Sequence, residues 1–301
     1  MIELLFKNFS DLGHGFDRLR RIDSRERIQQ FGHPRERVLG VRCGIHAWHY
    51  RGPDRQDRFL LPIRDDNPTH RSAIVTGLIV VACIYAFFAE QPFVETEIVE
   101  FLYEQAAISC EVITGEPLTA NEIRSGVCDS SPGQEVFPDK SILLSLVVSL
   151  FLHANLAHLF GNMWIFWIFG NNIEDHLGHL RFALFYLVAG LVATGAFIAV
   201  NPTSTVPLIG ASGAIAGAMG AYLILFPRVG ITSIIPPFFF FPFRVPAWIF
   251  LGLWLAGQFA ISSDAGQVAW EAHVGGFVAG ATYALVNRRR IVGRGRRYSR
   301  R

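Results

Sequence analysis

Six stretches of this chain are apolar enough to need an environment other than water. They run approximately from Ala73 to Ala89, Leu156 to Gly170, Phe182 to Val200, Leu208 to Phe226, Val245 to Ile261 and Val268 to Val286, and Glu271 is the only Asp, Glu, Lys or Arg inside any of them. A helix needs about 20 mostly apolar residues to cross the hydrocarbon core of a bilayer. In lipid the backbone must satisfy its own hydrogen bonds, so helices are the expected solution. The sequence therefore predicts an all-α, polytopic membrane protein with six transmembrane helices. A further apolar piece, Ile142 to Leu152, precedes the second stretch. The two together are too long for one span, so the extra piece is expected to lie within or along the membrane surface as part of the preceding loop.

The charges fix an orientation. Residues are 51% apolar and only 17% charged, and a formal net charge of +2 hides a strong segregation. Arg64 and Arg71 flank the first span, Arg181 lies between the second and third, and Arg228 and Arg244 bracket the loop after the fourth. Arg288, Arg289, Arg290, Arg294, Arg296, Arg297, Arg300 and Arg301 follow the sixth. With six crossings all of these fall on one side, and the positive-inside rule makes that side the cytoplasm. Residues 1–70 are polar and Arg-rich, with no apolar core followed by a small-residue cleavage site, so no secretory signal is expected and the N-terminus should stay inside. They contain too few apolar residues to bury much surface. A small accessory domain, a partly disordered arm and an upstream translation start all fit them. The expected organisation is a cytosolic segment over 1–70, a membrane domain over 71–287 and a basic cytosolic tail over 288–301, in a multi-pass protein of a bacterial inner membrane with both termini cytoplasmic.

The long loop after the first span is acidic, with Glu95, Glu97, Glu100, Glu104, Glu111, Glu116, Glu122 and Glu135 against Arg124 and Lys140. It also holds Cys110 and Cys128. In an oxidising space these form either a disulfide or two unpaired thiols, since spacing does not fix geometry. Two rows of small residues stand at intervals of four: Gly213, Gly217 and Ala221, and Gly276, Gly280 and Ala284. Such rows let helix backbones approach closely in lipid.

Polar side chains inside apolar spans need a reason. Four stand out: His158 and Asn162 in span two, Ser212 at the start of span four and His273 near the start of span six. Spans two, four and six run in the same direction, so all four residues lie at similar depth, toward the outer face. His158 and Asn162 are four apart and share a helix face. Taken alone, Ser212 reads as a packing serine, and His273 reads equally well as a histidine bonded to a backbone carbonyl. Jointly they suit acyl transfer: a serine hydroxyl needs a base to take its proton, and a neutral imidazole is suited to that near neutral pH. The developing oxyanion needs donors fixed in advance. His158, Asn162 and the backbone N–H of Ser212 or of its neighbour Gly213, at a helix N-terminus, would supply them. Glu271, two residues from His273, should point away from it, and Glu174 lies at the far end of span two, so a Ser/His dyad without a carboxylate is expected. His153 reads as a structural hydrogen-bonder, and His176 and His179 as solvated groups at the cytosolic end.

Gly210-Ala211-Ser212-Gly213 resembles the Gly-x-Ser-Gly nucleophile motif of rhomboid intramembrane proteases, and Ala272-His273-Val274-Gly275-Gly276 resembles the motif around their catalytic histidine. His153 to Asn162 is similar to the family's His-x4-His-x3-Asn pattern, whose second histidine and asparagine are linked to the oxyanion site. In order, spacing and span number the resemblance covers about residues 62–287. It implies a six-helix rhomboid-like bundle and a serine endopeptidase that needs no metal or cofactor. It also implies a lipid bilayer and membrane-protein substrates as partners, with no nucleic acid, and cleavage near transmembrane segments that unwind easily and carry a small residue before the cut. Two departures stand out. Leu144-Ser145 occupies the place of a Trp-Arg pair in the first loop, and Ala216 replaces an aromatic residue that in some members stacks on the catalytic histidine. The sequence has no His-Glu-x-x-His motif for a zinc protease, no aspartate pair inside spans, and no Gly-x-Ser-x-Gly elbow. Two rival functions remain open on the residues: a non-hydrolytic relative that escorts membrane proteins, and a transporter or channel.

Overall fold

The computed structural model describes residues 61–129, 133–235, 239–261 and 268–298. The N-terminal segment as far as residue 60, and the tail beyond Tyr298, lie outside the described residues. Helices dominate. In chain order these are α1 (Ile74–Tyr85, extended by a π-helical turn over Ala86–Glu90), α2 (Glu95–Gln105), α3 (Ser109–Thr114), α4 (Ala120–Ser125) and α5 (Ile142–Val148, followed by a 3-10 turn over Ser149–Phe151). They are followed by α6 (Leu156–Leu177), α7 (His179–Val200), α8 (Ser212–Leu225), α9 (Ala247–Ile261) and α10 (Trp270–Tyr298).

Of the described helices, α7 alone is both long and apolar enough to cross a membrane by itself. The pair α5 and α6 passes together with a bend of 78° between them, while α1, α8 and α9 are shorter apolar helices. The bend bears on the extra apolar piece before the second span: Ile142–Phe151 turns sharply away from α6 instead of lengthening it. Helix α10 continues through Arg288, Arg289 and Arg290, past the expected end of the last span, because arginine is a good helix former and suits a helix C-terminus.

The centre of the bundle is α8. Residues Gly213 to Tyr222 are buried without a break, so the helix has no outward face. Its small residues determine what packs on it. A Cβ on Gly280 would fall on the carbonyl oxygen of Gly217, and one on Gly276 on that of Gly213. A Cβ on Gly217 or Gly213 would come within 2.6 Å of Ala189 or Ala193 of α7. The glycine rows therefore bring α8 and α10 into backbone contact. Below them an aromatic layer of Phe166, Phe169, Phe182, Tyr186, Tyr222 and Phe250 fills the core.

A three-stranded antiparallel sheet, absent from the sequence expectations, joins β1 (Leu61–Asp65), β2 (Gly230–Ile235) and β3 (Phe239–Pro246) in that order. Leu61 pairs with Ile234, and Ile231 with both Asp65 and Val245. Pro62 lacks an N–H and is tolerated because β1 is an edge strand. Trp164 Nε1 donates to Pro62 O at 2.7 Å, and Tyr222 Oη donates to Asp65 Oδ2 at 2.6 Å, which ties the sheet to α6 and α8.

At the other end α2, α3 and α4 form a compact loop structure. Cys110 and Cys128 are disulfide-bonded, which resolves the two alternatives left by spacing. Lys140 forms a buried ion pair with Glu111 and donates to Tyr103 O at 2.7 Å. This loop holds the segment that leads to Ser212: Leu208 N–H donates to Ala107 O at 2.8 Å, Cys110 N–H to Ser204 O at 3.0 Å, and Gly210 N–H to Ser149 O at 2.9 Å.

Candidate active site

Ser212 is the first residue of α8, and the turn before it depends on Gly210. Its φ of +118° is one that side-chain-bearing residues rarely adopt, and an added Cβ would lie 3.0 Å from His158 Cε1. The earliest helical bond that α8 makes to the preceding turn is Ile215 N–H to Ala211 O, so the N–H groups of Ser212 and Gly213 belong to the first turn, where helix donors lack intrahelical partners.

His273 lies in the first turn of α10, and its Nε2 is 2.8 Å from Ser212 Oγ. The two residues are 61 apart in the chain and meet because Gly276 and Gly213 let their helices touch one turn below. The other ring nitrogen, Nδ1, lies 2.6 Å from Oε1 of Gln258 on α9. Trp254, one turn earlier on α9, holds its ring 5.9 Å from the His273 ring at 38°. Neither Gln258 nor Trp254 was singled out from the sequence. Trp254 is the aromatic neighbour that Ala216 does not supply, coming from α9 rather than from α8.

His158 and Asn162 stand on the opposite wall. Asn155 caps α6, its Oδ1 accepting from His158 N–H at 2.9 Å, which fixes the first turn. His158 Nδ1 accepts from Ala154 N–H at 3.4 Å, so its Nε2 carries the proton and is a donor beside Gly210 and Ser212. Asn162 is buried, and its Nδ2 has no hydrogen-bond partner among the described residues. Ser212, Gly213, His273, His158 and Asn162 all line one cavity of about 770 Å³, which Ala193, Thr194 and Phe197 of α7 also line.

The remaining polar residues separate from this group. Glu271 turns away from His273 and accepts from Asn201 Nδ2 at 3.0 Å. His153 is fully buried; its backbone N–H and C=O both bond to the side chain of Gln91, at 3.0 and 2.8 Å. His176 and His179, expected as solvated groups, each have a partner as well: His179 Nδ1 lies 2.6 Å from Glu174 Oε1 while its side chain stays 42% exposed, and the His176 ring packs edge-on against Phe226. Glu174 is fully buried and needs donors, and His179, half-exposed at the end of the bundle, supplies one of them.

A family model described as the Rhomboid domain matches residues 140–290. The chain is 32% identical over 147 residues to "Rhomboid protein 1, mitochondrial" of Saccharomyces cerevisiae, covering 46% of this chain and 40% of that one. It is 30% identical over 156 residues to the human "Presenilin-associated rhomboid-like protein, mitochondrial", covering 48% and 38%. To "Rhomboid protease GluP" of Bacillus subtilis it is 40% identical over 78 residues, covering 26% and 15%. The matches thus span about two fifths or less of these relatives. The family supports a membrane protein, whereas the mitochondrial names of most of these relatives give no support to the expected bacterial inner membrane. A match over half of the chain, across the helices that carry Ser212 and His273, makes this chain a member of the rhomboid family.

Proposed function

We propose that this chain is an intramembrane serine endopeptidase that cleaves other membrane proteins in or near their transmembrane segments. The observation that carries the reading is the 2.8 Å contact between Ser212 Oγ and His273 Nε2, inside a cavity that also contains the donors of His158 and Asn162. In this reading His273 Nε2 takes the Ser212 proton as Oγ attacks the peptide carbonyl. The carbonyl oxygen, now negative, is held by Asn162 Nδ2, His158 Nε2 and the first-turn N–H groups of Ser212 and Gly213. His273 then gives its proton to the departing amine, and water admitted from the outer face hydrolyses the acyl-enzyme by the reverse use of the same base.

The membrane domain comprises residues 71–287, with α1, α6, α7, α8, α9 and α10 as six spans. Helix α8, at 14 residues, is about 21 Å long and shorter than the hydrocarbon core, which suits a cavity that lets water down from one face. The arginines lie inside and the cavity opens outward. The substrates are helices that unwind locally at Gly or Pro, with a small residue before the scissile bond.

The test is cleavage of a model single-span substrate in detergent. Wild-type protein cleaves it, and His273→Ala abolishes cleavage while the protein stays folded. Turnover retained in His273→Ala removes the histidine from the mechanism. A folded wild-type protein that cleaves no member of a substrate panel favours a non-hydrolytic escort.

A further inference from the structure

The Ser212–His273 pair works as a base only if the imidazole carries its proton on the nitrogen that faces away from the serine. If the proton sat on Nε2, the ring would present an N–H to Ser212 Oγ and could not accept from it. A ring in a buried site does not choose this tautomer by itself; the partner of the other nitrogen chooses it. That partner is Gln258. Its Oε1 lies 2.6 Å from His273 Nδ1, and its Nε2 donates to the backbone carbonyl of Trp254 at 3.2 Å. The second bond fixes the first. A carbonyl only accepts, so the nitrogen of the amide must face Trp254 O, and the oxygen must face the ring. An oxygen there requires a proton on Nδ1, which leaves the lone pair of Nε2 directed at Ser212 Oγ, 2.8 Å away. Gln258 is 5% exposed and one turn from Trp254, so the amide and the indole hold the ring at its edge and face together.

We propose that Gln258 is a positioning residue of the active site, an uncharged third member that sets the tautomer and orientation of His273. This rests on the proteolytic reading. An amide suits the position better than a carboxylate would, because it orients the ring without placing an uncompensated charge in a buried site.

Nitrogen-15 spectra of histidine-labelled protein in detergent, with His273 assigned by the signal lost in His273→Ala, test the tautomer directly. Wild type is expected to show a protonated Nδ1 and an unprotonated Nε2; Gln258→Leu is expected to show a mixture. In the substrate assay Gln258→Leu should lower kcat by about 10²-fold or more, the scale of a misdirected general base, with KM unchanged. Gln258→Glu, which keeps an acceptor in place, should restore most of that loss. A wild-type spectrum with the proton on Nε2 overturns the proposal, and so does a folded Gln258→Leu with wild-type kcat. If Gln258→Leu does not fold, the wild-type spectrum decides alone. Cleavage that persists in Ser212→Ala defeats the Ser212–His273 mechanism on which the proposal rests, whereas cleavage that needs Ser212 but not Gln258 defeats only the role of the glutamine.

Discussion

Glu174 shows how a single side chain can organise a bundle from its end. Helix α1 begins without a capping side chain of its own at Ala73. Glu174 supplies the cap from about a hundred residues away, accepting from Val75 N–H and Thr76 N–H at 2.8 Å and from Thr76 Oγ1 at 2.6 Å. A carboxylate is favoured at a helix N-terminus, where donors are unpaired. Glu174→Ala would strand those donors in a buried setting at about 1–3 kcal/mol each, so we expect a clear fall in the thermal midpoint in detergent. Asn162→Ala is expected to leave that midpoint nearly unchanged and to lower kcat by roughly 10²-fold, as for the loss of one oxyanion donor. At this scale the candidate site was legible where polarity broke an apolar run: Ser212, His273, His158 and Asn162 each required an explanation inside a span. Gln258 also interrupts an apolar run but was not singled out, because its partner depends on how α9 packs beside α10. Spacing along the chain does not reveal that.

At the scale of elements, the glycine rows do the most to locate the site. Because an added Cβ on Gly280 meets a backbone oxygen of α8 and not a flexible side chain, nothing can move aside locally. Gly280→Ala should therefore already push α10 from α8, reducing both stability and turnover, and Gly280→Val should do so more strongly. The contact of these helices was foreshadowed by residues four apart, and the bend between α5 and α6 by an apolar run too long for one span. The sheet was hidden because β1 is short and lies before α1, while its partners lie in a loop more than 160 residues later. In the disulfide-bonded loop, burial raises the pKa of Glu111 and lowers that of Lys140, and in each case the partner's charge opposes the effect of burial. Lys140→Met leaves a buried carboxyl without its cation and should cost about 3–5 kcal/mol at neutral pH. Removing Lys140 takes away the charge that lowers the Glu111 pKa, so burial raises it further in the variant, and the stability this carboxyl contributes when protonated is lost as pH rises through its folded-state value. The variant should therefore recover stability relative to wild type as pH falls below neutral, which thermal melts at a series of pH values would show.

For the molecule as a whole, the two ends of the bundle have different tasks. The sheet and the Glu174 cap tie β1, α1, α6 and α8 together at one end. At the other, the loop containing α2, α3 and α4 holds residues 201–211 over the cavity through backbone bonds to Ala107, Cys110 and Ser149. The Cys110–Cys128 bond closes a separation of 18 residues in that loop, and a loop of this size contributes about 3 kcal/mol in the chain-entropy account. Reduction, or Cys128→Ser, should lower the thermal midpoint and loosen the segment before Ser212, and activity after reduction measures this. All of these supports converge on one hydroxyl beside one imidazole. The most direct test is to treat the folded protein in detergent with a fluorophosphonate and locate the adduct by mass spectrometry. A single adduct on Ser212, absent from Ser212→Ala and strongly reduced in His273→Ala, is the expected result. A folded protein that forms no adduct, or one that keeps its adduct when Ser212 is replaced, would contradict the account.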